Sequence, residues 1–171
     1  MRQQFPTDRA EKRRALLQAV DSVREILAAQ ADEAEVLRTL PPASVAALRE
    51  SGLFALRLPT VLGGAEADLV TQAEVIEAVS YIDPSAGWNA MIGAGSLSLC
   101  AFLPEEAIAR MFPEGRIPTF AASIMPGCVV PVESGYRVTG RWAWASGSGM
   151  RTGLERTYWS SAREEHRQNR A

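Results

Sequence analysis

Leu16, Val20, Val23 and Leu27 recur at i, i+4, i+7 and i+11 among charged neighbours, the stripe of an amphipathic helix that begins near Asp8. That helix, or a successor, continues through Val36 and Leu37 until Pro41-Pro42 stops it. A shorter helix from about Pro42 carries Val45 and Leu48 and closes at Gly52. Leu53 to Leu58 forms a compact apolar connector, and Pro59 through Gly64 a loop with a Gly-Gly turn. Asp68 caps a helix running to Tyr81, with Val70, Ala73, Val75, Ile76 and Val79 available for burial. Asp83-Pro84, an N-cap followed by a proline at the first helical position, starts the next one.

Pro84 through Pro104 carries no charged residue and is long enough to span a bilayer. Its Ser85, Gly87, Asn89, Gly93, Gly95, Ser96 and Ser98 make it too weakly hydrophobic, so the expectation is a helix buried inside the protein, with Trp88 in the core. The run Gly93-Ala94-Gly95-Ser96 predicts close approach of a neighbouring element, at some cost in helix propensity. Pro104-Glu105-Glu106 opens a further helix, its early glutamates favoured by the helix dipole, which ends near Phe112-Pro113.

After Gly115 the texture turns to β. Strand candidates are Thr119 to Ser123, Cys128 to Val132, Tyr136 to Thr139 and Arg141 to Ala145, separated by Pro126-Gly127, Ser134-Gly135 and Gly140. Trp142-Ala143-Trp144-Ala145-Ser146 sets large aromatics on one face, small residues between them and a hydroxyl at the end. Such a strand can lay an aromatic wall and a hydrogen-bonding group against a flat ligand. A core tryptophan with a strand-end serine is the reading from periodicity alone.

Composition narrows the chemistry. With 171 residues, 47% hydrophobic and 22% charged, the chain is of ordinary globular composition. A net charge of −2 and a pI near 5.5 leave no electrostatic footprint for nucleic acid or an anionic membrane. Cys100 and Cys128 lack metal-like or redox-like spacing and read as reduced packing thiols of a cytoplasmic protein. His166 is the only histidine and lies in a polar tail, which argues against a histidine triad or a multi-histidine metal site. The start, Met1 to Arg14, has no apolar signal segment. Glu74 reads as a solvated or capping residue, Glu105 and Glu106 as first-turn charges, and Gly63-Gly64 as a turn without phosphate-loop spacing. Ser146-Gly147-Ser148-Gly149 reads as a linker.

From about Asp8 to Gly147 the sequence resembles the acyl-CoA dehydrogenase superfamily of flavoproteins. The resemblance rests on the order of Leu40-Pro41, Gly52-Leu53, Leu58-Pro59, Gly63-Gly64, the helix containing Glu74, Asp83-Pro84-Ser85 and Gly87-Trp88. The β entry and Gly140-Arg141-Trp142-Ala143-Trp144-Ala145-Ser146 complete it. It implies an α+β fold class: a mostly α-helical N-terminal domain followed by an incomplete β-barrel domain, with the C-terminal helical bundle absent. It also implies FAD, or reduced FMN or FAD in the hydroxylase branch. Trp144 and Ser146 match the positions that touch the isoalloxazine ring, and Ala122, Ser123 and Ile124 match the strand at the flavin pyrimidine edge. No catalytic base and no metal are assigned.

Two branches of the family remain open. Dehydrogenases carry Thr-Glu-Pro and then Gly-Ser-Asp at the β entry, where this chain has Ile124 to Pro131 without those polar groups. Asp83-Pro84-Ser85-Ala86-Gly87-Trp88 and the segment from Ser134 to Trp142 look closer to the two-component flavin hydroxylases. Some of those place a histidine on the buried helix, where Gly95, Ser96 and Ser98 stand here. The expected function is a flavin-dependent oxidoreductase oxidising a CH–CH group, in truncated form. The alternatives are a fragment of a two-component monooxygenase and a non-catalytic helical interaction module. The expected partners are a small molecule, acyl-CoA or an aromatic compound, and further copies of the full-length protein, with no nucleic acid and no membrane.

The expected domains are 8–115, helical; 116–149, the start of a β domain; and 150–171, a polar tail whose charge and lack of apolar periodicity predict disorder. The tail breaks the family pattern, as a frameshift or premature stop would. Translating the downstream DNA in its other two frames is expected to recover barrel strands, and their absence there overturns that explanation.

Overall fold

The Asp8 carboxylate accepts the Glu11 backbone N–H at 2.9 Å, which satisfies one of the donors that a helix start leaves open. Helix α1 then runs Arg9–Leu37 and buries Leu16, Val20, Val23, Leu27 and Ala34, the stripe read from the sequence. It ends at Arg38, whose left-handed backbone (φ 54°) turns the chain toward buried Leu40 and Pro41. Pro42 opens α2 (Pro42–Glu50), and Gly52 at φ 79° follows its C-cap, Ser51. Helices α3 (Leu69–Ser80), α4 (Pro84–Ser98) and α5 (Glu105–Met111) complete the helical layer. A hairpin of β1 (Cys128–Val132) and β2 (Gly135–Thr139) follows. This computed structural model describes residues 5–115, 117–118, 127–133, 135–141 and 146. The strand candidate Thr119 to Ser123, most of Arg141 to Ala145, and the tail lie outside the described residues.

The connector between α2 and α3 is the centre of the core. Leu53, Phe54, Ala55, Leu56 and Leu58 are each at most 2% exposed, and Leu53–Ala55 is wound as a single 3₁₀ turn. Backbone bonds fold the chain back along this segment: Ala65 N–H donates to the Ala55 carbonyl at 3.0 Å, Ala67 to Leu56 at 2.9 Å and Glu66 to Leu58 at 3.1 Å. Gly64 makes the return possible, since a Cβ there would collide with the Leu58 backbone carbonyl. The Glu66 carboxylate closes the loop by accepting from the Thr60 N–H at 3.0 Å and the Thr60 hydroxyl at 2.9 Å. Those bonds, the backbone one first, hold the Glu66 carboxyl below its ordinary range.

Helix α3 buries Thr71, Gln72, Val75 and Val79. Val70 and Ala73, expected to be available for burial, are exposed, because the stripe through residues 71, 72, 75 and 79 turns them to the outer side. The amide of Gln72 donates to the Ala67 carbonyl at 2.5 Å, so a buried polar side chain satisfies a loop carbonyl. Two ion pairs hold α1 beside α3, Arg9 with Asp68 at 3.0 Å and Arg13 with Glu74 at 2.5 Å. Glu74 is therefore a clasp residue rather than a freely solvated one. Such exposed pairs align elements more than they stabilise them.

Helix α4 departs most from expectation. It is not buried all round: Ala86, Gly87, Ala90, Gly93, Ala94 and Leu97 face the core, while Trp88 is 54% exposed. Its buried side is lined by small residues, and that lets it approach closely. A Cβ on Gly87 would strike Ser80 of α3, and one on Gly93 would sit 2.9 Å from the Phe54 ring. Gly95, grouped with Gly93 on sequence, opens instead to free space. Beyond α4, Leu99–Phe102 tightens to a 3₁₀ turn, and the Leu103 N–H caps it on the Cys100 carbonyl. Among the described residues no helix is long and apolar enough to cross a membrane. The hairpin pairs antiparallel, Cys128 opposite Thr139 and Val132 opposite Gly135, and every strand position is exposed.

Two outcomes follow from this packing. Leu53→Ala is expected to cost about 2–5 kcal/mol in urea unfolding, the range for a buried leucine whose cavity cannot collapse. The Asp68 carboxyl is pulled down from its ordinary 3.8 to about 2, chiefly by the Thr71 hydroxyl, then by the Thr71 N–H and by Arg9. A folded value below the unfolded one gives stability that is present above the ordinary value and lost as pH falls through the folded one. Asp68→Asn is therefore expected to lower the thermal midpoint at neutral pH and to converge with the parent between about 3.8 and about 2. A gap that stays constant over that window contradicts the assignment.

Candidate functional site

The start of α4 is fixed by a buried side-chain cap. Asp83, only 5% exposed, accepts the Ser85 N–H at 2.8 Å, and Pro84 pre-sets the first helical residue. One turn on, the Asn89 amide donates to the Ser85 carbonyl at 2.8 Å. Between them stands Trp88, and its indole Nε1–H donates to Ser146 Oγ at 3.2 Å across 58 residues of sequence. Ser146, half-buried, is thus joined to the helical layer.

Trp88 begins an apolar stripe. At 3.6 residues per turn, positions 88, 91, 95, 99 and 102 fall on one side of the helix, opposite the small residues that pack inward. Met91, Leu99 and Phe102 are all exposed there, Phe102 at 85%. Apart from buried Leu97, the inward side carries small residues, while large apolar ones face outward. A contiguous apolar surface of this kind marks a place where something binds. The expected core role of Trp88 is thereby corrected. The segregation of small from large residues around α4 was the sequence signal that could have revealed it.

A cleft of about 270 Å³ adjoins the same helix start, lined by Ala34, Glu35, Arg38, Thr39, Leu40, Ser85 and Asn89. It is polar and smaller than the usual small-molecule site, so the binding surface is better sought on the apolar side of Trp88. Of the residues that the resemblance links to flavin, only Ser146 falls among the described residues. Ala122, Ser123, Ile124 and Trp144 lie outside them. Among the described residues no cluster of His, Cys, Asp or Glu could hold a metal ion.

The groups present suit a flat heteroaromatic ligand. Ser146 Oγ accepts from Trp88, so its own proton is directed away from the indole and can act as a donor there. The exposed Trp88 side chain beside it offers a π surface. Glu105 and Glu106 stand in the first turn of α5, as expected, and play no part here.

The fold is a helical domain leading into a β segment. Residues 10–114 match the acyl-CoA dehydrogenase, N-terminal domain, and the chain belongs to that family. It is 35% identical over 103 residues to an indole-3-acetate monooxygenase of Pseudomonas putida, covering 60% of this chain and 26% of that protein. It is 34% identical over 134 residues to the flavin-dependent monooxygenase oxygenase subunit HsaA of Rhodococcus jostii, covering 77% of this chain and 35% of that one. The structure of XiaF from Streptomyces sp., in complex with FADH2 and glycerol, superposes with a TM-score of 0.74 at 31% identity, covering 80% of this chain and 35% of XiaF. The chain thus spans about a third, or less, of the length of these relatives.

Cys100 and Cys128, both free, differ in surroundings. Cys100 is 3% exposed and burial pushes its thiol up, whereas Cys128 is exposed on β1 and is not the packing thiol expected. An aromatic disulfide reagent is expected to modify one thiol rapidly and the second only in denaturant, with Cys128→Ser removing the fast phase.

Proposed function

We propose that this chain forms the helical wall and part of the flavin surface of the oxygenase component of a two-component flavin-dependent monooxygenase, acting on a small aromatic compound. The observation that carries the reading is the Trp88–Ser146 hydrogen bond. It brings the aromatic face of α4 to the serine expected, from the family resemblance, to lie against the isoalloxazine ring. The names of the relatives support the monooxygenase branch over oxidation of a CH–CH group, and an aromatic substrate over acyl-CoA. A homo-oligomeric assembly goes with the same reading.

In this proposal Trp88 and Trp144 supply aromatic surface, Ser146 donates its hydroxyl proton to the flavin edge, and Ala122, Ser123 and Ile124 line the pyrimidine side. Reduced flavin, when bound, supplies two electrons to dioxygen, one oxygen atom entering the substrate and the other leaving as water. The residues named bind and orient, and none of them is assigned as a base. The uncharged α4 stripe beside the site offers an apolar surface for the aromatic substrate.

The test is an anaerobic titration of the purified chain with reduced FAD and reduced FMN, followed by tryptophan quenching. Saturable binding is expected, weakened about fivefold to tenfold by Ser146→Ala, the effect of one hydrogen bond of about 1 kcal/mol. Trp144→Ala is expected to weaken it at least as much. Acyl-CoA is expected to leave the fluorescence unchanged. Absence of saturable binding by either reduced flavin would overturn the proposal.

A further inference from the structure

Given the flavin reading above, we infer that Trp88 is a positioning residue that aims the Ser146 hydroxyl at the flavin. Donor and acceptor chemistry sets the direction of the hydroxyl proton. Indole Nε1–H can only donate, and a serine hydroxyl has one proton and two lone pairs. With Nε1 at 3.2 Å, one lone pair of Ser146 Oγ is taken by the indole, and the serine proton cannot point along the same line. It is turned toward the other side, where it serves as a donor. Without Trp88, that proton can rotate among several acceptors, water included.

Trp88 suits the task because its backbone cannot drift. Its neighbour Gly87 is wedged against Ser80, Ala90 is fully buried, and the Asp83 cap fixes the turn below it. Burial does not place the side chain, which is half exposed; its hydrogen bond to Ser146 does. Among the described residues, packing does not explain a large ring that stays 54% exposed on the first turns of a helix. A fixed donor at a ligand edge explains both its exposure and its partner. The geometry of the serine is then set by the helical layer as well as by its own strand end.

The test combines Trp88→Phe, Ser146→Ala and the double variant. Trp88→Phe keeps the aromatic area and removes only the donor. Reduced FAD is expected to bind about threefold to tenfold more weakly to each single variant, and no more weakly to the double variant than to Ser146→Ala. The visible band of bound oxidised FAD is expected to shift in the same direction in both single variants, which a purely structural role would not produce. Parent-like affinity and an unshifted band in Trp88→Phe, with Ser146→Ala impaired, would overturn this inference and leave the flavin reading standing. Additive losses would do the same. Failure of the parent chain to bind reduced flavin overturns both. If Trp88→Phe does not fold, the indole Nε1–H resonances of the parent and Ser146→Ala decide. Movement of one of them in Ser146→Ala supports the coupling, and an unchanged set of resonances refutes it.

Discussion

Apart from Arg57, every side chain from Leu53 to Leu58 is withdrawn from water within one short segment. The segment therefore cannot slide without opening several contacts at once. Its carbonyls bind the returning backbone of residues 65–67, and Phe54 abuts α4 at Gly93. A tightly filled interior transmits such constraints because it has no slack to absorb them. The position and rotation of α4 follow from this segment, and with them the side of α4 that stays outside.

The two sides of α4 do different work. Ala86, Ala90, Ala94 and Leu97 allow close packing against α3 and the connector. Trp88, Met91, Leu99 and Phe102 are left uncovered among the described residues. Because the helix carries no charge, its amphipathic character rests on side-chain size instead of polarity. Hydrophobic patterning of the ordinary kind does not register this, and a uniformly apolar stretch is then taken for a buried one. The polar clasps lie elsewhere, between α1 and α3, where Arg9, Arg13, Asp68 and Glu74 are all accessible. Charge thus orients one side of the layer while close packing of small residues sets the other.

Much of the helical layer could be read directly. Asp8, Asp68 and Asp83 each cap the helix expected of them, Gly52 follows the end of α2, and α5 opens at Glu105. Cys128 to Val132 and Tyr136 to Thr139 are strands of one hairpin. These features depend on a few neighbouring residues, through a side-chain oxygen, a proline ring or a missing Cβ. The family was readable too, since its marks are short motifs in a fixed order along residues 10–114. For the site, Ser146 is legible from the Gly140-to-Ser146 motif that lies beyond that stretch, whereas the apolar surroundings of Trp88 in sequence point to the core.

By itself, then, the sequence determined where helices start and stop, the α1 stripe and membership of the acyl-CoA dehydrogenase N-terminal domain family. Only the tertiary structure decided that Trp88 faces outward, that Gly93 abuts Phe54 while Gly95 opens to space, and that Ser146 meets the α4 indole. Caps and stripes are encoded within a helical turn or two. The Trp88–Ser146 contact joins residues 58 positions apart, and it forms because the buried connector fixes the rotation of α4.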